Sequence, residues 1–358
     1  VENADGPADD VAVYSGHHLL FEDLLGDQTR VHEVHVCGLE PNTVYYYKVG
    51  GKGAWSGIFE TATAPELGTK DPISITLFGD SRNATEDLWP MTVKKISEGN
   101  PDLMLFSGDA VFLGTQQSLW NNFFEASTGD FRVQDLFSRV PFMSANGNHD
   151  ALAVNYVAQF AFPQDPSPNE AAQGEEWYSF DYGNTHVAVL NDTVNDASVI
   201  GGSQASWLRA DLGAVDRDKT PWVFVMHHRP FYTCLSTHRP DNALRDAWQD
   251  IFDEFKVDMV FTGHNHVYER SLPIRGLTDG QGQAAAAGPN GVPEVDGEGS
   301  PSGTIYIVSA GAGAETYAVS DECALSYTAA SAHHYSTVEI EDRKITFTAR
   351  NTMSDAVI

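Results

Sequence analysis

The chain has 358 residues, enough for a full hydrophobic core, and is expected to divide into two domains. Its 21 basic and 50 acidic residues give a formal net charge of −29, which is unfavourable for binding nucleic-acid backbones or anionic membranes. No apolar run approaches the ~18 residues of a membrane span, and the acidity fits a secreted or periplasmic protein. We therefore expect neither a nucleic-acid partner nor a membrane partner.

Residues 1–66 are predicted to form a small β domain. Val34 and Val36 alternate with polar neighbours, and Tyr45 and Tyr47 show the same period of two after a Gly-Leu-Glu-Pro-Asn turn. This period places alternate side chains on one face, as in a half-buried strand.

From residue 71 onward, apolar strands alternate with amphipathic helices. The predicted strands cover residues 73–78, 103–106, 140–143, 185–190, 222–226, 257–261 and 304–308. Helical spacing of large apolar residues appears near Trp89 and Trp248, a hairpin is expected at 338–347, and 276–303 is expected to be a mobile surface loop. Buried strands interleaved with helices predict a layered α/β/α domain over residues 67–358.

Five of these strands are followed by side chains that bind metals. The motifs are Gly79-Asp80, Gly108-Asp109, Gly147-Asn148-His149-Asp150, His227-His228-Arg229-Pro230 and Gly263-His264-Asn265-His266. Ligand sites in open α/β sheets form at the carboxyl ends of the strands, and glycines there allow sharp turns. A mixed set of carboxylate, amide and imidazole ligands suits two metal ions that share one bridging carboxylate, a centre that promotes phosphoryl displacement.

The order of the motifs, GD…GD…GNHD…HxP…GHxH, resembles the calcineurin-like metallophosphoesterase superfamily. The sequence GHNHVYER at 263–270, behind a β domain, resembles its purple acid phosphatase branch. Residues 35–47, HVCGLEPNTVYYY, resemble the end of a fibronectin type III domain. The resemblance implies a fibronectin type III-like β domain at 1–66 and, at 67–358, a catalytic β-sandwich flanked by helices.

The resemblance also implies a role for each residue at the strand ends. Two divalent ions (Zn, Mn or Fe) are expected, the first bound by Asp80, Asp109 and His266 (the first-metal set) and the second by Asp109, Asn148, His228 and His264 (the second-metal set). His149 would polarise or protonate the phosphoester, with Asp150 orienting its ring, and His238 would contact the substrate. Arg82, with Asn83 beside it, would either contact phosphate or form a salt bridge.

Two positions depart from the family pattern. The purple enzymes carry a tyrosine three residues after the bridging aspartate, where this chain has Phe112. Many other members carry a histidine two residues after the first aspartate, where this chain has Arg82. Neither a phenyl ring nor a guanidinium ligates a metal. The first metal is therefore one protein ligand short, unless Asn83 or another group fills the place.

Three functions fit these features. The preferred one is hydrolysis of a small phosphomonoester by in-line attack of a metal-bound hydroxide. A phosphodiesterase or nucleotide hydrolase would use the same metals, and the pocket loops that distinguish the two cannot be interpreted from sequence. A non-catalytic binding protein with a decayed metal site is favoured by the missing ligand. It is opposed by five intact site residues, Asp109, Asn148, His149, His228 and His264.

The three cysteines are too few for a disulfide scaffold or a cysteine-based zinc site. Cys234 and Cys323 lie in loops that follow predicted strands on the same side of the sheet, so we expect them to pair and Cys37 to remain free. Such a pair agrees with an oxidising compartment.

Overall fold

The computed structural model describes residues 11–358 except 83, 85, 151–152, 164–174, 195, 236–237, 276–282, 285–302 and 320–324. The strands are β1 His17–Glu22, β2 Gln28–Glu33, β3 Val44–Tyr47, β4 Gly50–Gly51, β5 Ala54–Trp55, β6 Phe59–Ala62, β7 Ile73–Phe78, β8 Leu103–Phe106, β9 Ser127–Thr128, β10 Phe131–Arg132, β11 Phe142–Ser144, β12 Tyr178–Tyr182, β13 Thr185–Val189, β14 Trp222–Met226, β15 Met259–Thr262, β16 Tyr268–Ser271, β17 Ile274–Arg275, β18 Gln283–Ala284, β19 Ile305–Ser309, β20 Ser326–Ala330, β21 His334–Glu341 and β22 Lys344–Asn351. The helices are α1 Leu88–Glu98, α2 Gln117–Glu125, α3 Val133–Phe137, α4 Val154–Gln159, α5 Ala205–Ala214 and α6 Asn242–Glu254, with a π-helix at Val199–Gln204.

Two mixed sheets form the centre of the molecule. One has the strand order β11-β8-β7-β21-β22, and the other has the order β12-β13-β14-β15-β19-β16-β20. Strands β7, β8 and β11 are mutually parallel, and so are β13, β14, β15 and β19. All five residues of β14 are apolar and buried, as expected of a strand that is covered on both faces.

The two sheets pack face to face and are covered by helices on the outside. Ile75 of β7 and Phe224 of β14 belong to one buried cluster that joins the sheets. Trp89 of α1 stacks on Phe123 of α2 at 4.5 Å over the outer face of the first sheet, and Trp248 of α6 lies in the cluster outside the second. The prediction of a layered α/β/α domain is confirmed.

Residues 11–66 form three separate two-stranded ladders, β1 with β2, β3 with β6, and β4 with β5. The prediction of a strand at Val34 and Val36 is wrong. Strand β2 ends at Glu33, because its partner there, His17, is the first residue of β1. Tyr47 Oη donates a hydrogen bond of 2.6 Å to the carbonyl of Ser138, which attaches this region to the rest of the chain. The fibronectin type III assignment and the boundary at residue 66 stay predictions.

The terminal hairpin is longer than expected: β21 and β22 have eight residues each, and β21 pairs with β7 to extend the first sheet. Most of the expected loop at 276–303 lies outside the described residues. Cys234 is disulfide-bonded and Cys37 is a free, exposed thiol, while the expected partner, Cys323, lies outside the described residues. In the described parts of the chain, no helix combines the length and the apolar character that a membrane crossing requires.

Candidate metal centre

The carboxyl ends of five parallel strands meet at one edge of the two sheets. The side chains gathered there are Asp80 after β7, Asp109 after β8, Asn148 and His149 after β11, His228 after β14, and His264 and His266 after β15. Asp80, Asp109 and His264 have positive φ angles of 60°, 57° and 66°. Non-glycine residues rarely adopt this conformation, and it is concentrated at functional sites.

Two glycines make this close approach of the strand ends possible. A Cβ on Gly263 would lie 2.5 Å from Asp80 Oδ2 and 2.7 Å from Ser107 Oγ. Gly108 has a φ of 98°, and a Cβ there would lie 2.7 Å from the backbone nitrogen of Gly147. Both positions therefore require glycine.

The second-metal set is assembled. One ligand atom from each of Asp109, His228 and His264 lies within 4.8 Å of the others. Asn148 Oδ1 lies 3.1 Å from His228 Nε2 and 2.8 Å from His264 Nδ1, and so faces the same point. A carboxylate, an amide oxygen and two imidazoles suit a divalent ion such as Zn, Mn or Fe, so these residues fit the metal that the resemblance implies.

The charges of this set depend on burial and on mutual contact. Burial, followed by the neighbouring His228, lowers the pKa of His264 to about 3, which keeps its ring in the neutral form that binds metals. Burial also disfavours charge on His228, but Asp109 outweighs this effect and raises its pKa to about 10. Burial opposes ionisation of Asp109 as well, yet His228 holds its pKa below the ordinary value. Protonation of His228 therefore competes with the binding of a cation.

Asp192 positions His228 and was missed in the sequence. Its buried carboxylate accepts hydrogen bonds from His227 Nδ1 at 3.2 Å and from the backbone N–H of His228 at 2.9 Å. Burial disfavours its charge, but His227, His228 and Arg229 outweigh this and lower its pKa to about 2. The sequence did offer one signal for Asp192: it lies three residues after β13, a sixth strand whose carboxyl end lies at the edge that carries the metal-binding groups.

The expected contact between Asp150 and the ring of His149 is wrong. Asp150 is fully buried, and its Oδ2 accepts the backbone N–H groups of Asp109 at 2.8 Å and Gly147 at 3.0 Å. The ring of His149 instead donates from Nδ1 to the carbonyl of Phe112 at 2.8 Å. The peptide N–H groups compete successfully for a buried carboxylate, so Asp150 fixes the loop that carries Asp109 rather than the imidazole.

The first-metal set is only partly assembled, because Arg82 lies within it. Asp80 Oδ1 is 3.4 Å from His266 Nε2, while Arg82 Nη2 donates to the same Nε2 at 3.0 Å. Arg82 Nε lies 3.8 Å from Asp109 Oδ2, and Nη1 contacts His149 Nε2. Asp80, Asp109 and His266 do not form a group with ligand atoms within 4.8 Å, as the second-metal set does in the described residues.

Phe112 is 43% exposed and stacks on the ring of His149, with 5.2 Å between centroids. The position where the purple enzymes carry a tyrosine therefore lies beside the site. Asn83, named as a possible substrate contact or ligand, lies outside the described residues.

The ring of Tyr317 lies between two site histidines and was also missed in the sequence. It stacks on His238 at 4.5 Å and on His266 at 4.4 Å. The ring of His238 is 5.6 Å from that of His264, so His238, which the resemblance implied as a substrate contact, lies at the site. The only sequence signal for Tyr317 was its place in the loop after β19, a further strand of the same sheet.

Comparisons with known proteins agree with this geometry. The family described as calcineurin-like phosphoesterase matches residues 73–268, and the purple acid phosphatase N-terminal domain matches residues 4–63. Purple acid phosphatase 21 of Arabidopsis thaliana is 32% identical over 255 residues, which are 68% of this chain and 54% of the relative. Purple acid phosphatase 22 of the same plant is 32% identical over 253 residues, which are 67% of this chain and 54% of the relative. The chain thus spans about half the length of these curated relatives.

Solved structures show the same fold. The purple acid phosphatase PPD1 from yellow lupin (Lupinus luteus) seeds superposes with a TM-score of 0.78 at 21% identity, covering 99% of this chain and 67% of that one. GAP50 of Plasmodium superposes with a TM-score of 0.56 at 14% identity, covering 80% of this chain and 87% of that one. With its strand-end motifs in place and more than half of its residues matched, the chain belongs to the calcineurin-like phosphoesterase family, in the branch with a purple acid phosphatase N-terminal domain.

Proposed function

We propose that the protein is a metal-dependent phosphoester hydrolase that acts on a small phosphomonoester. The observation that carries this proposal is the convergence of Asp109, Asn148, His228 and His264 on one point, with Arg82 beside them. A divalent cation held there supplies Lewis-acid polarisation of a phosphoryl group and activation of water. The family membership and the names of the relatives support the same reaction class.

Arg82 is the group best suited to bind the phosphate. Its side chain is 15% exposed, and its guanidinium contacts His149 and His266. A guanidinium presents paired N–H donors that match two phosphoryl oxygens, and its charge offsets the charge that develops on them. Asp109 and His266 hold its orientation.

Two histidines, His149 and His238, are placed to interact with the oxygens of the substrate. His149 faces Arg82 through Nε2. When the guanidinium turns toward phosphate, Nε2 would take up a proton from solvent and pass it to the leaving oxygen as the phosphorus–oxygen bond breaks. His238 has an Nδ1 without a hydrogen-bond partner in the described structure, and burial, followed by His266 and Arg82, lowers its pKa. His238 is therefore a neutral ring at neutral pH that can hydrogen-bond a substrate oxygen.

A binding role remains the second candidate because the first-metal set is incomplete. GAP50, which shares the fold, is described as the anchor in the inner membrane complex of Plasmodium. Phe112 and Arg82 in place of ligands would fit a chain whose metal site no longer supports turnover.

The test is turnover of p-nitrophenyl phosphate and of bis(p-nitrophenyl) phosphate by protein stripped of metal and then loaded with Zn, Mn or Fe. We expect metal-dependent hydrolysis that is faster for the monoester. His264→Ala should abolish it, while His18→Ala, an exposed histidine in β1, is the matched control. Faster hydrolysis of the diester would make the protein a phosphodiesterase. Full metal content without turnover of either compound would leave the binding role.

An extracytoplasmic location is part of the proposal. The disulfide bond at Cys234 requires an oxidising compartment to persist, and the net charge of −29 is compatible with secretion. Mass spectrometry of non-reduced peptides from native secreted or periplasmic protein would test both the pairing and the location.

A further inference from the structure

We propose that the protein binds one metal ion rather than two, and that the guanidinium of Arg82 occupies the place of the first metal. The inference concerns the same site as the proposed function and deepens it. Its test measures metal content, so the two can fail separately.

Three acceptor atoms surround the guanidinium. They are His266 Nε2 at 3.0 Å from Nη2, His149 Nε2 in contact with Nη1, and Asp109 Oδ2 at 3.8 Å from Nε. Each is an atom that could otherwise bind a metal ion. A cation is thus already present among these ligands, and it belongs to the chain.

The tautomers of the two histidines support this assignment. His266 donates from Nδ1 to the carbonyl of Glu315 at 2.7 Å, and His149 donates from Nδ1 to the carbonyl of Phe112 at 2.8 Å. In a neutral imidazole the other nitrogen then carries the lone pair. Both lone pairs face Arg82, which is the orientation that a metal-binding histidine normally has toward its ion.

Asp109 lies between two different cation sites. Its Oδ1 is 3.3 Å from His228 Nε2 in the second-metal set, whereas its Oδ2 faces Arg82. The side chain of Asp109 is only 1% exposed, and that of Arg82 is 15% exposed, so water screens their interaction weakly. A divalent ion placed beside this guanidinium would compete for the same oxygen and would be repelled by a like charge.

Of the remaining first-site positions, Asp80 is held by a backbone N–H and the side chain of Phe112 cannot bind a metal. Both oxygens of Asp80 accept the backbone N–H of His264, at 3.0 and 3.1 Å. Phe112 offers no ligand atom. The side chains around Arg82 thus form a site for a guanidinium, and among the described residues the second-metal set is the group whose ligand atoms come close enough to share one ion.

The experiment counts Mn²⁺ bound per chain after equilibrium dialysis and records the electron paramagnetic resonance spectrum. Wild-type protein should bind one Mn²⁺ and give the spectrum of an isolated ion. Arg82→His removes the guanidinium and adds an imidazole, so it should bind two ions and show exchange coupling between them. Arg82→Lys, which keeps a positive charge, should still bind one.

Two ligand variants locate the single ion. His264→Ala should lower the count from one toward zero, because it belongs to the second-metal set. His266→Ala should leave the count at one, because this ring contacts Arg82. Two ions per wild-type chain, loss of an ion in His266→Ala, or an unchanged count in folded Arg82→His would overturn the inference. A count of one without hydrolysis would refute only the proposed function.

Discussion

Asp109 is the residue on which the site depends most, because it contacts both the second-metal set and Arg82. Asp109→Asn keeps the size of the side chain but removes its charge. We expect metal affinity to fall by at least ~100-fold, since even outer-shell partners of a metal are worth about 10- to 100-fold. Turnover should be abolished while the circular dichroism spectrum is unchanged. Isothermal titration with Zn²⁺ and a phosphatase assay measure the two effects.

The matched control is Asp130→Asn, which alters an exposed carboxylate beyond α2 and should bind metal normally. Near-wild-type turnover of Asp109→Asn at full metal content would contradict the proposed role of Asp109.

A variant of His149 can distinguish an effect on proton transfer from an effect on metal binding. Its Nε2 faces Arg82, and its ring stacks on Phe112, so it is not a member of the second-metal set. His149→Ala should lower kcat by ~10²–10⁴, the usual worth of a general acid, without loss of metal. The same change at His238 should act mainly on KM. Kinetics with parallel metal analysis distinguish the cases, and metal loss from His149→Ala would make it a ligand.

Among the elements, β12, β13 and α5 are connected by one buried histidine. His186 of β13 bonds to Asp181 of β12 at 2.8 Å and to Asp211 of α5 at 3.0 Å. Burial disfavours the charged ring, but the two carboxylates outweigh burial and raise its pKa to about 9. Because this value lies above the unfolded value of about 6.5, protonated His186 stabilises the fold. The stabilisation is complete below pH 6.5, the unfolded pKa, and is lost as the pH rises through the folded pKa of about 9.

His186→Gln should remove this pH dependence. The difference in unfolding free energy between wild type and variant should shrink by about 3 kcal/mol between pH 6.5 and pH 9, the worth of the raised pKa. Urea denaturation at several pH values across this window measures it. Wild-type and variant curves that run parallel across the window would show that His186 is not charged in the folded protein.

At the scale of the whole molecule, Asp23 connects the N-terminal ladders to α2. Its buried carboxylate accepts the backbone N–H of Gln117, the first residue of α2, at 2.8 Å, and the N–H groups of Leu25 and Asp27 within its own turn. Asp23→Ala leaves these donors without their acceptor. We expect several-fold faster proteolysis within residues 11–66 and little change in the rest of the chain.

Limited trypsin digestion followed by mass spectrometry measures this effect. Asp27→Ala, which alters an exposed carboxylate four residues away, is the control. Equal cleavage rates for Asp23→Ala and wild type would show that the other contacts, such as the one from Tyr47 to Ser138, suffice to hold the region.

The strands of the core could be predicted well, and those of the N-terminal region only in part: β3 falls where Tyr45 and Tyr47 predicted a strand, whereas the strand expected at Val34 and Val36 is absent. The predicted bounds of β7, β8 and β14 agree with the structure, because each is a short apolar run that becomes buried on both faces. β12 and β16 were missed, since Asp181 and Glu269 interrupt their apolar patterns. In residues 11–66 most side chains are exposed, and even in β2 and β3, where burial alternates with a period of two, the inward positions are only half-buried, so the hydrophobic signal is weak.

The sequence by itself determined which strand ends carry metal-binding groups, because local hydrophobic pattern marks buried strands and parallel strands place their ends at one edge. Only the tertiary structure decided how the groups pair there. Arg82 meets His266 across 184 residues of chain, and Asp150 turned out to bind peptide N–H groups rather than His149. Such contacts depend on backbone angles at the strand ends and on side-chain directions in loops that are far apart in the chain, and no local period records either.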